Sequence, residues 1–522
     1  MPSYIQSLIQ EQLKQLDGAI DTFLDGYRDW GIARGDKQRT VIFFPGGLAS
    51  ELTRAHQPFD PTGGTAYTYR QIWYDIGLIR GPDKAALRLA MRREADSEDY
   101  DEFKQFVVAS GPMDNCFYRP YDGFVDWCRQ NDLNLLIFSW DFRRKGEWVV
   151  DLFLDHFLDY VRSRAPGRGI NPAVNDPLAS VSLVGHSFGG MLVKWIANRH
   201  DHPLCQNMQL AVTVGTPFYG YGSQIHRMFE GDPDVGGNYM KSELSKAIAT
   251  MPGGYSLFYL DSQTYDDNRL ALQNDLEYPL HEYPCLDATD FSRVDPYHPA
   301  TRGVERRYHE FGWDLAPYIA DGFNQYKLMP KPLDDSIKQR FHCVRGVQTN
   351  GGPGGPDHNG TTGSVRWQWI RNTFDPDSNP SPILDGPKEP GDGTIPAWSA
   401  RLVTLNEDHI HTIKGEVEGE EFEHMFLMEQ AGVLSKLLEL LDTRQGERES
   451  RVVMLRRNFA PAPIDEFNRV SRELARLASI EPREAANQAI GDFVQSMEPN
   501  RRAALVKRWF IEMARGPRSL PR

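Results

Sequence analysis

The chain has 522 residues, too many for one minimal domain and enough for a large core carrying insertions. Apolar residues make up 40% and charged residues 25%, the composition of a folded protein, and no apolar run reaches the roughly 18 residues that a spanning helix needs. A net charge of -14 argues against nucleic acid as a partner, because phosphate binding depends on clustered Lys and Arg.

The start, "MPSYIQSLIQEQLKQLDGAIDTFLDGY", sets Ile5, Leu8, Ile9, Leu13, Leu16, Ile20, Phe23 and Leu24 at helical spacing, which predicts an amphipathic helix. It lacks a basic stretch followed by an apolar block, so no export signal is expected. Cys116, Cys128, Cys205, Cys285 and Cys343 are widely scattered with no Cys-x-x-Cys pair. A reducing cytoplasm is the expected location, with contact at a membrane surface at most.

Short apolar runs follow at "TVIFFPGG" (40–47), "NLLIFSW" (134–140) and "QLAVTVGTP" (209–217), each ended by Gly, Pro or a polar turn, with helical stretches between them. That pattern predicts a doubly wound α/β core around a mostly parallel sheet, its first part spanning 1–217. Within it lies "VSLVGHSFGGML" (181–192). Ala179 to Val184 predicts a strand, and Met191, Leu192, Trp195 and Ile196 mark one face of a helix. Between them, Gly185-His186-Ser187-Phe188-Gly189 fits Gly-x-Ser-x-Gly, the nucleophile elbow of α/β-hydrolases, in the strand-turn-helix setting that the elbow requires. The turn forces Ser187 into strained backbone geometry, and the glycines two positions either side let neighbouring chain approach.

From 218 to 340 the pattern breaks into a stretch rich in aromatics, prolines and acids, read as a cap with helices of its own. "FHCVRGV" (341–347) returns to the sheet, and the second part of the core spans 341–445. "NGGPGGPDHNG" lacks the Gly-Lys-Ser/Thr ending of a phosphate loop. "DPDSNP" (375–380) begins like a calcium loop but carries Pro380 where glycine is needed and Gly386 where glutamate is needed. Beyond 446 the chain reads as three short helices separated at Pro482 and Pro499. Residues 451–522 hold 14 Lys plus Arg against 8 Asp plus Glu, a balance of +6, which leaves -20 on the first 450. A basic tail on an acidic body predicts a solvated helical face or, failing that, a docking or membrane-surface element.

A serine hydroxyl needs a base to take its proton and an acid to hold that base, in the chain order Ser, acid, His. Among the later histidines, His424 stands out because it follows the polar loop "KGEVEGEEFE" and precedes a helix striped by Leu427, Leu434, Leu438 and Leu441. His409 and His411 alternate in "DHIHTIK" and are expected as exposed strand histidines; His-x-His can bind metal, but no third ligand is evident. Asp392, flanked by Gly391 and Gly393, lies between the returning strand and His424, and this position favours it over Asp375, Asp377, Asp385 and Asp408. The oxyanion formed at Ser187 needs two backbone N–H donors, assigned to Phe188 and to Gly47 in "FFPGGLAS". No cofactor or metal is expected.

Taken in order, "VIFFPGG", "YTYRQIWYDIGLIRGPDKAALRL", "FSWDFR", "VGHSFGG", "VGTPFYG", "MPGGYSLFYL", "GDGTIPAWS" and "EHMFLM" resemble the lecithin:cholesterol acyltransferase family over about residues 38 to 442. That family includes lysosomal phospholipase and phospholipid:diacylglycerol acyltransferases. The resemblance implies an α/β-hydrolase fold, a membrane-contacting insertion within 51–110, and a lid drawn from the region after Tyr219. It places the family's Ser, Asp and His on Ser187, Asp392 and His424, and its oxyanion donors on Gly47 and Phe188. It further implies a fatty-acyl ester presented at a membrane or aggregate surface, an acyl-enzyme, and transfer to water or an alcohol. This chain departs from animal members in its unpaired cysteines and in the order of aromatic and acid in "SWDFR". The alternatives are a soluble carboxylesterase and a catalytically silent hydrolase scaffold that binds a partner through the basic tail.

Overall fold

The computed structural model describes residues 4–34, 39–56, 68–73, 91, 105–113, 120–222, 224, 248–287, 292–295, 316–349, 364–369, 383–415 and 423–441, with isolated positions between 466 and 496. In chain order the strands are β1 (Arg39–Phe44), β2 (Ser50–His56), β3 (Thr68–Trp73), β4 (Gln105–Pro112), β5 (Leu133–Ile137), β6 (Val181–His186), β7 (Leu210–Val214), β8 (Leu286–Asp287), β9 (Phe341–Gln348), β10 (Ser364–Trp369), β11 (Ile383–Glu389) and β12 (Ile410–Gly415). Six of them form a central sheet in the order β12-β9-β7-β6-β1-β5, and every neighbouring pair is parallel.

A parallel sheet is covered on both faces, and this explains why its strands read as unbroken apolar runs. β6 and β7 are buried at every residue. Side chains alternate between two cores: Ile42, Phe44 and Leu183 join Phe23, Phe153 and Leu192 on one face, whereas Val41, Phe43 and Val184 join Phe124, Trp127 and Leu437 on the other. β5 lies on one side of β1, and β6 with all later strands lies on the other. The strand order therefore reverses between β1 and β6, and the crevice beyond the carboxyl ends of those strands is where open α/β sheets bind ligands. This is the α/β-hydrolase fold, built on the doubly wound core that the apolar runs predict.

The single N-terminal helix expected from periodicity is two, Tyr4–Gln15 and Asp17–Arg34, broken at Leu16. They bury Leu8, Leu13, Leu16, Ile20, Phe23 and Leu24, while Ile5 is 36% exposed. Gln12 fixes the first helix by pairing both ends of its amide with the Ala109 backbone of β4, at 2.8 and 2.7 Å. The second helix presents Asp17, Asp21 and Asp25 to Arg164 and Arg168, with ion pairs of 2.5 to 3.1 Å.

Within 51–110, β3-β2-β4 form an antiparallel sheet, and Trp73 Nε1 donates to the Leu48 carbonyl at 2.8 Å. The described parts of 218–340 contribute aromatic side chains to the core while also exposing Leu270 and Leu276. Tyr255, Phe258, Tyr259, Tyr318 and Tyr326 all belong to the main cluster. β11-β10-β8 make the third sheet. The stretches 350–360 and 375–380 lie outside the described residues, as do Cys116 and the predicted tail helices apart from isolated positions. Cys128, Cys205, Cys285 and Cys343 are free and buried. No helix among the described residues is long and apolar enough to cross a membrane.

Candidate functional site

β6 begins at Val181, two residues later than the sequence predicts, because Ala179 and Ser180 are exposed ahead of the sheet. It ends at His186, and the helix Phe188–Ala197 starts one residue after Ser187. Ser187 sits at φ 53° and ψ −126°, a conformation that costs a non-glycine residue on the order of 1–3 kcal/mol. Its N–H donates to the Val214 carbonyl at 2.8 Å, which locks the turn onto β7. A Cβ on Gly185 would lie 2.6 Å from the Gly189 carbonyl oxygen and the Gly190 nitrogen, and one on Gly189 would run into the Phe44 carbonyl oxygen. Close approach is thus the reason for both motif glycines. The following helix is buried at all ten residues, not on one face, because core surrounds it.

The structure brings the three expected side chains together. His424 Nε2 lies 2.8 Å from Ser187 Oγ, and His424 Nδ1 lies 2.7 Å from Asp392 Oδ2. Asp392 is 1% exposed and His424 3% exposed, while Ser187 is half-buried. Asp392 Oδ1 accepts the N–H groups of Thr394 at 3.1 Å and Ile395 at 2.7 Å. The His424 N–H donates to the Asp392 carbonyl at 2.9 Å, so backbone as well as side chain ties the imidazole to the carboxylate. Gly215, at φ 56°, floors the pair: a Cβ there would meet Asp392 Oδ2 at 3.1 Å and His424 Cε1 at 3.2 Å.

His424 does not sit directly on a helix, as the leucine stripe suggests. It opens a 3₁₀ turn, His424–Glu429, and the α-helix starts at Ala431. Leu427 anchors that turn, and the buried helical positions are Val433, Leu434 and Leu437.

At the turn after β1, where the sequence predicts one oxyanion donor, the Gly46 N–H is already committed to Tyr121 Oη at 2.8 Å. The next residue, Gly47, is half-buried and packs on Phe188, whose ring would lie 3.2 Å from a Cβ at Gly47. Gly47 and Phe188, the two expected donors, are therefore adjacent. The Phe188 N–H also stands at the positive end of a helix dipole.

Three residues around the site carry little signal in the sequence. Asp141 is 1% exposed between Arg143 and Arg144, at 2.7 and 3.3 Å. Burial alone would raise its carboxyl, but the two guanidiniums hold it below the usual range. The run Trp140-Asp141-Phe142-Arg143 thus builds an internal ion cluster beside Trp140, which packs edge-on against Phe188 at 4.9 Å. Tyr121 and His186 are both buried next to Gly46, and only their long-range contacts identify them.

His409 and His411 are not exposed strand histidines. His409 ends a 3₁₀ turn, His411 lies on β12, and both rings stack on His342 of β9, with centroids 4.5 and 5.3 Å apart. A third imidazole is present, but His342 Nδ1 and His411 Nε2 face each other at 3.1 Å, and His409 Nδ1 is committed to the Phe341 carbonyl at 2.9 Å. No group of three or more His, Cys, Asp or Glu among the described residues is arranged to hold a metal ion.

No family model matches the chain, and no curated protein matches it. Among solved structures, a chain from the crystal structure of the Tle4–Tli4 complex is similar with a TM-score of 0.45 and 13% identity, covering 77% of this chain and 98% of that one.

Proposed function

We propose that this chain is a serine hydrolase of fatty-acyl esters, a lipase or phospholipase related to the lecithin:cholesterol acyltransferase group. The observation that carries the reading is the unbroken chain of hydrogen bonds from Ser187 through His424 to Asp392, at the carboxyl end of a parallel sheet. Asp392 holds the proton of His424 on Nδ1, which leaves Nε2 to accept the Ser187 hydroxyl proton. Ser187 Oγ attacks the ester carbonyl as that proton moves to Nε2, and the N–H groups of Gly47 and Phe188 receive the developing oxyanion. Collapse of the tetrahedral intermediate breaks the C–O bond, and His424 returns its proton to the departing alkoxide. Water, or an acceptor alcohol, then attacks the acyl-enzyme by the same path in reverse.

The preference for fatty-acyl esters rests on the resemblance of the eight ordered segments to that family. In this reading 218–340 supplies the lid and 51–110 the surface that meets aggregated lipid. Labelling by a fluorophosphonate probe with peptide mapping is the test. An adduct on Ser187, absent in Ser187→Ala, is expected. A well-folded protein that stays unlabelled in buffer and with lipid vesicles would favour the silent scaffold instead.

A further inference from the structure

A second hydrogen-bonded chain runs behind the first. The Gly46 N–H donates to Tyr121 Oη at 2.8 Å, Tyr121 Oη lies 3.0 Å from His186 Nδ1, and His186 Nε2 lies 3.0 Å from the backbone carbonyl oxygen of His424. A carbonyl oxygen only accepts, so His186 carries its proton on Nε2 and its Nδ1 accepts the Tyr121 hydroxyl. All three donors then point one way, from the oxyanion turn, through the elbow, to the backbone of the base. Tyr121 is 3% exposed and His186 1% exposed. Phe43, packed edge-on at 4.8 Å, helps fix the phenol ring.

We infer that Tyr121 and His186 are positioning residues that tie the oxyanion turn to the backbone of His424 and keep a neutral ring beside it. The inference rests on the hydrolase reading above. Its first half follows from connectivity: the chain joins Gly46, which precedes one oxyanion donor, to the backbone from which the imidazole of the base hangs. A misplacement of about 1 Å at such a site costs on the order of 100-fold in rate. The second half follows from proximity. The rings of His186 and His424 lie 5.0 Å apart, so a charge on His186 would oppose the imidazolium that His424 becomes during reaction. Burial, and then the neighbouring His424, hold the His186 ring well below the ordinary histidine range. Tyr121 and His424 are the titratable groups it touches.

The test compares Tyr121→Phe, His186→Gln and His186→Leu in the full chain on a soluble p-nitrophenyl ester, with Tm and fluorophosphonate labelling rate recorded alongside. Tyr121→Phe, which leaves the buried Gly46 N–H and His186 Nδ1 without their partner, is expected to lower Tm by a few degrees while the protein stays folded, to leave KM nearly unchanged, and to lower both kcat and the labelling rate about tenfold. His186→Gln, whose amide can still donate to the His424 carbonyl, is expected to retain more activity than His186→Leu; equal losses in the two would overturn the relay. So would a Tyr121→Phe protein with wild-type kcat. Should His186→Leu fail to fold, Tyr121→Phe decides alone. Histidine ¹⁵N spectra give a readout apart from turnover: His186 is expected as the neutral Nε2–H form from about pH 5 to 8, where a free histidine titrates, and protonation in that range would overturn the second half. A labelled wild type with unaffected variants removes the relay and spares the hydrolase reading, whereas an unlabelled wild type removes both.

Discussion

Asp392 uses its two carboxylate oxygens differently. Oδ1 is fixed by the N–H groups of Thr394 and Ile395, and only Oδ2 faces His424. In Asp392→Asn the side-chain oxygen must stay on those two donors, so the amide NH₂ is forced into the Oδ2 position. It would then donate to His424 Nδ1, shift the ring proton to Nε2, and leave no acceptor for the Ser187 hydroxyl. The expected result is a fall in kcat of up to about 10⁴-fold with an unchanged circular dichroism spectrum. Near-normal kcat would assign the acid to another residue. An Asp-Gly turn is a common loop sequence, so Asp392 stands out in the sequence only by its place in the chain order. Its two backbone donors follow directly after it, but nothing in "GDGTIP" distinguishes them from those of an ordinary turn.

At the level of elements, local signals read well and long-range ones did not. β1, β6 and β7 each announce themselves as apolar runs because both faces of the sheet are covered. The histidine stack between β9 and β12 was invisible, since His342 and His411 meet across 69 residues of sequence. Tyr121 and His186 meet across 65, and the same reason hid them. The stack has a measurable consequence. Burial, and then the neighbouring His409 and His411, lower the His342 pKa to about 4 from an ordinary 6.5, and burial lowers that of His411. Lys436 adds to both effects, while Asp408 partly offsets them. Between pH 6.5 and 4 the unfolded chain therefore binds more protons at these positions than the folded one, and folding stability must fall as pH falls through that window. The Tm of wild type is expected to drop between pH 7 and 4, and His342→Gln is expected to flatten part of that slope. An unchanged slope in the variant would mean that this stack does not govern the acid sensitivity of the β9–β12 edge.

Over the whole molecule, the proposed function requires the half-buried Ser187 to meet an apolar ester. The β3-β2-β4 sheet follows β1 just after the Gly46–Gly47 turn, and the region from 218 onward follows just after β7 and the Val214 carbonyl that holds the Ser187 N–H. Both additions thus depart from the carboxyl end of the central sheet, where Ser187 lies. Trp73, on the first of them, packs against Phe142 at 5.8 Å, which brings that small sheet close to the ion cluster behind the elbow. If these additions meet lipid, catalysis should depend on the physical state of the substrate. Turnover per accessible ester is expected to be higher on phospholipid vesicles than on a soluble short-chain p-nitrophenyl ester. A rate indifferent to aggregation would make the protein a plain carboxylesterase with the same triad. Charge separates the tail's share from that of the additions: residues 451–522 carry +6 and the first 450 carry -20. Binding to anionic vesicles through the tail should weaken as added salt shortens the screening length from about 10 Å at 0.1 M toward 3 Å at 1 M. Deletion of 446–522 should then lower vesicle binding and leave kcat on the soluble ester intact, because every residue of the proposed site lies before it. Vesicle binding that survives both the deletion and high salt would assign the membrane contact to the additions around the sheet rather than to the tail.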